Sequence, residues 1–577
     1  MRSARFAPSP WTLGLLGAIA LASGCYFTGT GNGAVGDTSH DGGPSTGTGT
    51  CVDGPMAARR VWTLSRGEYD TSVKAVLGNG SNIAASTFPP ESRASSGFSK
   101  NPEAEVVDSN LVSLMMTAAE TIASASLKTE LSFISGTLSC TLAANPSAST
   151  PDPCAVSYIE SRAASFFRRP ITQEESDDLY ATYLAGVANP YDSTSATSSG
   201  IELVVATLLQ MPQFFYRTEL GAPNDTSSPT LLTQYEIASE ISFLATGGPP
   251  DDTLLAAAKA GSLTGGEIAS QYQRLLATPA GHVQMQQFVL EWLGEDQVGN
   301  KGSTSGPVTP AIAADMQAES ANFVEEAVFH GAGTVQELLT GDYTFANTEL
   351  ATFYGLPATG LTSNMSKVSL GGSERGGLLS QGAFLVSNSS SGVPLLHRGR
   401  VIRNKVLCET LPSFASLGLP GFTPPPFVTP PTGTTTRQAL TNAIVGPCYT
   451  CHQYFQPIGY ALEGFDPWGR TQTTQNGGAI DPSGQIVEST SVDPDTGLIL
   501  DPANYTEVSF ADYQGLTAAL AAQPRASACF ASQVVSYAAG RTTPLDDCAT
   551  SAVQTGGTVQ QEFMSYVQSK AFVWRTR

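Results

Sequence analysis

Residues Leu231–Gly261 read LLTQYEIASEISFLATGGPPDDTLLAAAKAG. The first half has the pattern of one helix, and the Gly/Pro run at 247–250 is a turn. Asp251 and Asp252 then lead a second helix, where carboxylates suit the positive end of the helix dipole. Nothing between the two helices resembles a strand, and the stretch sets the expectation for the whole chain: mainly α.

The neighbouring segments agree. In LSRGEYDTSVKAVLG (64–78), Ser65 and Glu68 stand in capping-box spacing and Gly78 is a stop. Thr172 and Glu175 repeat the box ahead of 173–187, and 106–126 and 154–170 carry apolar residues at helical spacing. Residues 200–221 are strongly apolar and end near Pro212, while 316–331 are amphipathic. Short helices continue through 347–355 and 398–411. A proline-rich stretch at 412–435 reads as extended linker, after which a helical pattern resumes at 436–455. Residues 477–501 mix turn residues with short β-like runs; Asp493, Asp495 and Gly497 read there as a turn, since the other ligands of a calcium loop are missing. The C-terminal 530–541 and 559–575 are helical again.

The chain has 577 residues, 41% of them apolar and only 14% charged, enough for several folded modules. With 29 basic against 50 acidic residues the net charge is −21, and no basic stripe exists to neutralise phosphates. Nucleic acid is therefore excluded as a partner. MRSAR followed by WTLGLLGAIALA has the charged and apolar regions of a signal peptide (1–24), and ASG stands directly before Cys25. This looks like a bacterial lipobox, although Ala22 holds the position where Leu is usual. Cys25 is the expected lipidation site, and residues 25–50, rich in Gly, Ser and Thr, form a tether. The expected location is the bacterial cell envelope, lipid-anchored at the outer membrane.

Export makes disulfides available to the remaining cysteines. Cys140–Cys154 and Cys529–Cys548 each bracket a short segment with proline and polar turn residues, and Cys51–Cys408 is then the leftover pair. Set apart from these is GPCYTCHQYFQPIGYALEGFDPWGR (446–470), with the C-x-x-C-H motif Cys448, Cys451 and His452. On a helix these three residues share a face, so two thiols and one imidazole approach a common side. Such a set suits two thioether bonds to haem c with His452 as proximal iron ligand. A structural disulfide, a zinc site and a thioredoxin-like pair use the same residues; zinc needs further ligands and the redox pair a βαβ context. Met564 and His397 are candidate distal ligands. A carbonyl such as that of Pro457 is expected to hold the ring N–H of His452. Tyr460, Leu462, Phe465 and Trp468 are candidate walls. No serine-hydrolase elbow and no H-E-x-x-H motif is present.

Taken as a series, several stretches resemble the planctomycete-type cytochrome c-like proteins, a bacterial multi-domain family built largely of domains of unknown function. They are RVWTLSRGEYDTSVKAVLG, FFRRPITQEE with LLQMPQFFYRTELG, LLTQYEIASEISFLA with FVLEWLG, HRGRVIRNKVLCETLP with the C-x-x-C-H segment, and CFASQVVSYAAGR. The resemblance covers most of 59–577. Glu240 departs from it, standing where Arg is expected, and 487–509 look like an insertion. The resemblance implies helical N-terminal modules (51–225), a central helical module (226–370), a small cytochrome c-like module (371–480) and a C-terminal module (481–577) with a short β-containing insertion. It implies a haem module but no reaction; the C-x-x-C-H motif itself points to electron transfer or a haem-supported redox step, and a haem-dependent oxidoreductase activity stays open. The redox partner, protein or small molecule, is unassigned. The alternative is a cell-surface binding or scaffold protein in which Cys448 and Cys451 form a disulfide.

Overall fold

A computed structural model describes residues 56–576 apart from 94–96, 101–106, 191–194, 300–305, 390–392, 412–429, 446, 493–497, 502–503, 541–552 and 554–556. The expected signal peptide (1–24) and tether (25–50), Cys25, Cys51, Cys548, most of the proline-rich stretch and the expected turn at 493–497 lie outside the described residues. The fold is mainly α, and the strands described are short and paired in antiparallel two-stranded sheets.

The N-terminal helices are α1 (Arg66–Leu77), α2 (Ser109–Ser132), α3 (Pro153–Phe167), α4 (Gln173–Ala188) and α5 (Ala196–Leu208). Both capping boxes form: Ser65 with Glu68 opens α1 and Thr172 with Glu175 opens α4. Gly78 ends α1 at φ 68°, a conformation that costs a residue with a Cβ. These helices enclose one apolar core around Tyr69, Ile122, Tyr158, Phe166 and Val204. A disulfide joins Cys140 to Cys154 across the α2–α3 connection.

After α5 the chain makes the strand Tyr216–Glu219, which pairs with Arg60–Thr63. Buried charges gather at this ladder. Glu219 accepts from Arg60, Trp62 and Arg575, and Arg217 pairs with Glu68 at 3.4 Å and Glu240 at 3.2 Å. Burial raises the Glu219 pKa, but Arg575 and Arg60 outweigh it and hold the carboxyl well below its usual range. Glu240 supplies a partner for Arg217, and burial beside Glu219 raises its pKa. The chain's last residues return here, with Arg59 N donating to Thr576 O at 2.8 Å.

The opening stretch folds as read: α6 (Gln234–Thr246) ends at Gly247, and Asp251 accepts from Leu254 N at the start of α7 (Asp252–Ala260). Helices α8 (Gly265–Leu276), α9 (Pro279–Leu293) and α10 (Pro310–Glu325) follow. Further on come α11 (Pro394–Val406), α12 (Thr436–Ala443), α13 (Pro447–His452) and α14 (Gln456–Tyr460). A hairpin of Gly484–Ser489 with Tyr505–Phe510 fills the expected insertion, and α15 (Pro524–Ala539) and α16 (Val559–Val567) complete the described helices used below. One apolar cluster runs through Ile241, Phe288, Trp292, Ile402, Ile458 and Phe530, so the central, motif-bearing and C-terminal segments share a core.

The distal disulfides differ from expectation. Cys529 on α15 is joined to Cys408, just past α11, rather than to Cys548, which also removes the Cys51–Cys408 pairing. The physical reason is that α11 and α15 pack together, bringing the two Cα atoms to 5.2 Å across a sequence separation of 121. Helix packing, not short loop closure, selects the partner.

Glu295, just past α9, is fully buried, and burial pushes its carboxyl up to about 8. Between the ordinary carboxylate value and about 8 the folded chain binds this proton more tightly than the unfolded chain. That contribution is complete below the unfolded value and is lost as pH rises toward 8. Glu295→Gln is therefore expected to gain stability over the parent protein as pH is raised from about 5 to about 8, on the order of a few kcal/mol. Thermal unfolding of both proteins across that range measures it, and parallel pH profiles would contradict the assignment.

Candidate functional site

The motif sits on α13, a short helix that follows α12 and turns through 453–455 into α14. The turn is hydrogen-bonded, with Tyr454 N donating to Cys451 O and Phe455 N to His452 O, each at 3.2 Å. Cys448 is half-buried, whereas Cys451 and His452 are buried. Both cysteines stand as thiols, so the disulfide pairing of Cys448 with Cys451 is not formed. Among the described residues no three His, Cys, Asp or Glu side chains are grouped to hold a metal ion.

His452 is 7% exposed, and its ring lies 4.7 Å from that of Phe455. Burial, opposed by a hydrogen bond to Gln456, pulls its pKa down to about 4. The imidazole is thus neutral at ordinary pH and able to act as a ligand. Its Nδ1 meets Gln456 Oε1 at 3.1 Å. This corrects the expectation of a Pro457 carbonyl: the polar group at the ring nitrogen is a side-chain amide four residues on, across the 453–455 turn.

Two glycines let α14 lie directly on α11. A Cβ on Gly399 would overlap the Phe455 carbonyl, and one on Gly459 would overlap the Leu395 carbonyl. The same helix α11 supplies two fully buried arginines. Arg398 donates to the carbonyls of Leu385, Phe465 and Asp466, at 3.0, 3.1 and 2.8 Å, and burial lowers its pKa to about 9. Arg403 donates from Nε to Tyr454 O at 2.7 Å and from Nη2 to Val487 O at 2.5 Å, and pairs with Glu409. These arginines fix both the residues just after the motif and the 465–466 turn further on. Their role was not read from the sequence, though Arg398 and Arg403 fall on the helical stripe of Leu395, Ile402 and Val406, and that placement was the available signal.

The other candidates are dispersed. Leu462 and Phe465 belong to the main core, and Trp468 packs against a separate cluster with Met316 and Tyr354. Of the four proposed walls, Tyr460 is the one tied to His452, through Gln456. His397 is half-buried on α11, and Met564 is packed against the main core from α16, whose neighbours are α15 and α8.

Against this geometry, four stretches match family models, each described as a protein of unknown function. They are PSD3 (DUF1587) at 63–128, PSD5 (DUF1595) at 154–219, PSD4 (DUF1592) at 232–356 and PSCyt3 (DUF1588) at 375–475. All four are domain families of the planctomycete cytochrome c-like type, and the fourth spans α11 to α14 with the whole motif. No curated protein and no solved structure matched the chain.

Proposed function

We propose that the chain is an exported, lipid-anchored protein of the bacterial envelope that carries one covalently bound haem and acts in electron transfer or a haem-supported redox step. The observation that carries this reading is a pair of thiols one helical turn apart, followed at once by a neutral, buried imidazole whose Nδ1 is already engaged. The donor set fits a c-type haem: Cys448 and Cys451 would hold the porphyrin by thioethers and His452 would ligate the iron. When bound, haem supplies one-electron exchange at iron. The chain's own residues order the ligand ring, shield it from water and brace the segment after it through Arg403. The test is a pyridine haemochrome spectrum of protein matured beside a cytochrome c assembly system; protein that is folded and haem-free after such maturation would overturn the proposal.

The anchoring half of the proposal has its own measurement. No helix among the described residues is long and apolar enough to cross a membrane. In this reading a diacylglycerol group carried on the Cys25 sulfur provides attachment, and two or more acyl chains make it stable. Cys25→Ser is expected to move the protein from the membrane fraction to the soluble one. Retention of the variant in membranes would count against lipid anchoring.

A further inference from the structure

We infer that Gln456 is a positioning residue that holds His452 in the Nδ1–H tautomer through a hydrogen-bond chain whose direction is set by a backbone carbonyl of α12.

The chain is read from its far end. Thr441 Oγ1 lies 3.0 Å from the carbonyl oxygen of Arg437, and a carbonyl only accepts, so the Thr441 hydroxyl proton is committed there. Tyr460 OH stands 3.0 Å from the same Oγ1. With the Thr441 proton already spent, Tyr460 is the donor of that pair. Its oxygen then accepts from Gln456 Nε2, which places the amide nitrogen on the tyrosine side and Oε1 toward the histidine. The group facing His452 Nδ1, at 3.1 Å, is therefore an acceptor, and Nδ1 must carry the proton. A neutral imidazole protonated on Nδ1 has its lone pair on Nε2, the nitrogen a metal takes when the other is hydrogen-bonded.

The surroundings protect the arrangement. Gln456 and His452 are buried, at 3% and 7% exposure, so water does not compete for the amide. The Arg437 guanidinium lies 4.4 Å from the centroid of the Tyr460 ring and keeps that ring in place. The four groups thus act as one relay from the surface helix α12 to the candidate ligand.

The consequence for iron rests on the haem reading, whereas the tautomer does not. The direct test is therefore made on the haem-free full chain, by nitrogen-15 NMR of the His452 ring at neutral pH. The expected result is a single Nδ1–H tautomer in the parent protein, and a shift toward the Nε2–H form that free side chains favour in water in Gln456→Leu. Thr441→Val, at an exposed position, removes the group that fixes the direction without touching the core, and is expected to make the second tautomer detectable. A parent protein protonated on Nε2, or a Thr441→Val variant identical to the parent, would overturn the inference. In haem-loaded protein, Gln456→Glu is expected to lower the midpoint potential and Gln456→Leu to raise it, because a stronger acceptor at Nδ1 favours the oxidised iron. Shifts of one sign in both variants would mean that Gln456 only packs, and would also overturn it.

Discussion

With Cys448 and Cys451 both replaced by alanine, the matured protein is expected to retain no haem through denaturation and acidified-acetone extraction, whereas the parent protein retains all of it. Thioether bonds do not exchange, and these two thiols are the pair available on α13. Each single variant keeps at most one bond, so it is expected to be heterogeneous and reduced in yield. His452→Ala separates attachment from ligation, because haem still held by thioethers then shows an altered iron spectrum. The parent protein anchors the comparison: a correctly folded preparation lacking a Soret band removes the basis for all four variants. Non-covalent haem, extractable from the parent protein, would keep the ligand and discard the attachment.

The helices and the motif were legible because their signals are local. Ser65 with Glu68, Thr172 with Glu175, and the 247–250 turn each lie within a few residues of the structure they determine. The Arg60–Thr63 and Tyr216–Glu219 strands were not legible, since four residues are too few to display a period of two. The Cys408–Cys529 bridge was missed for a different reason: its partners meet only after α11 and α15 have packed, and sequence proximity carries no trace of that. At the candidate site, Cys448, Cys451 and His452 stood out by spacing alone. Gln456 lies four positions beyond the histidine, but a short turn interrupts the helix between them, so helical spacing does not single it out. Glu240 gains its meaning only in three dimensions, as the carboxylate answering Arg217 inside a buried charge network.

Arg403→Met is expected to destabilise the motif-bearing region by about 3–5 kcal/mol, the usual consequence of removing one member of a buried ion pair. Arg403 and Glu409 are both fully buried, so the variant strands the Glu409 carboxylate with Arg525, a partly exposed cation, as its other partner. The loss has a second component, because Arg403 also donates to the carbonyls of Tyr454 and Val487. The first belongs to the turn directly after His452 and the second to the inserted hairpin, so one guanidinium ties the motif, α11 and the insertion together. Denaturant unfolding reports the total, and the double variant Arg403→Met/Glu409→Leu separates the two parts. Removing both charges is expected to restore the share due to the stranded carboxylate and leave the share due to the lost carbonyl contacts. A single variant within about 1 kcal/mol of the parent would be the cost of a surface pair, and would mean that Arg403 does not brace the site. If instead Arg403→Met unfolds this region and the double variant recovers both stability and haem yield, the buried pair acts on the candidate site through packing alone.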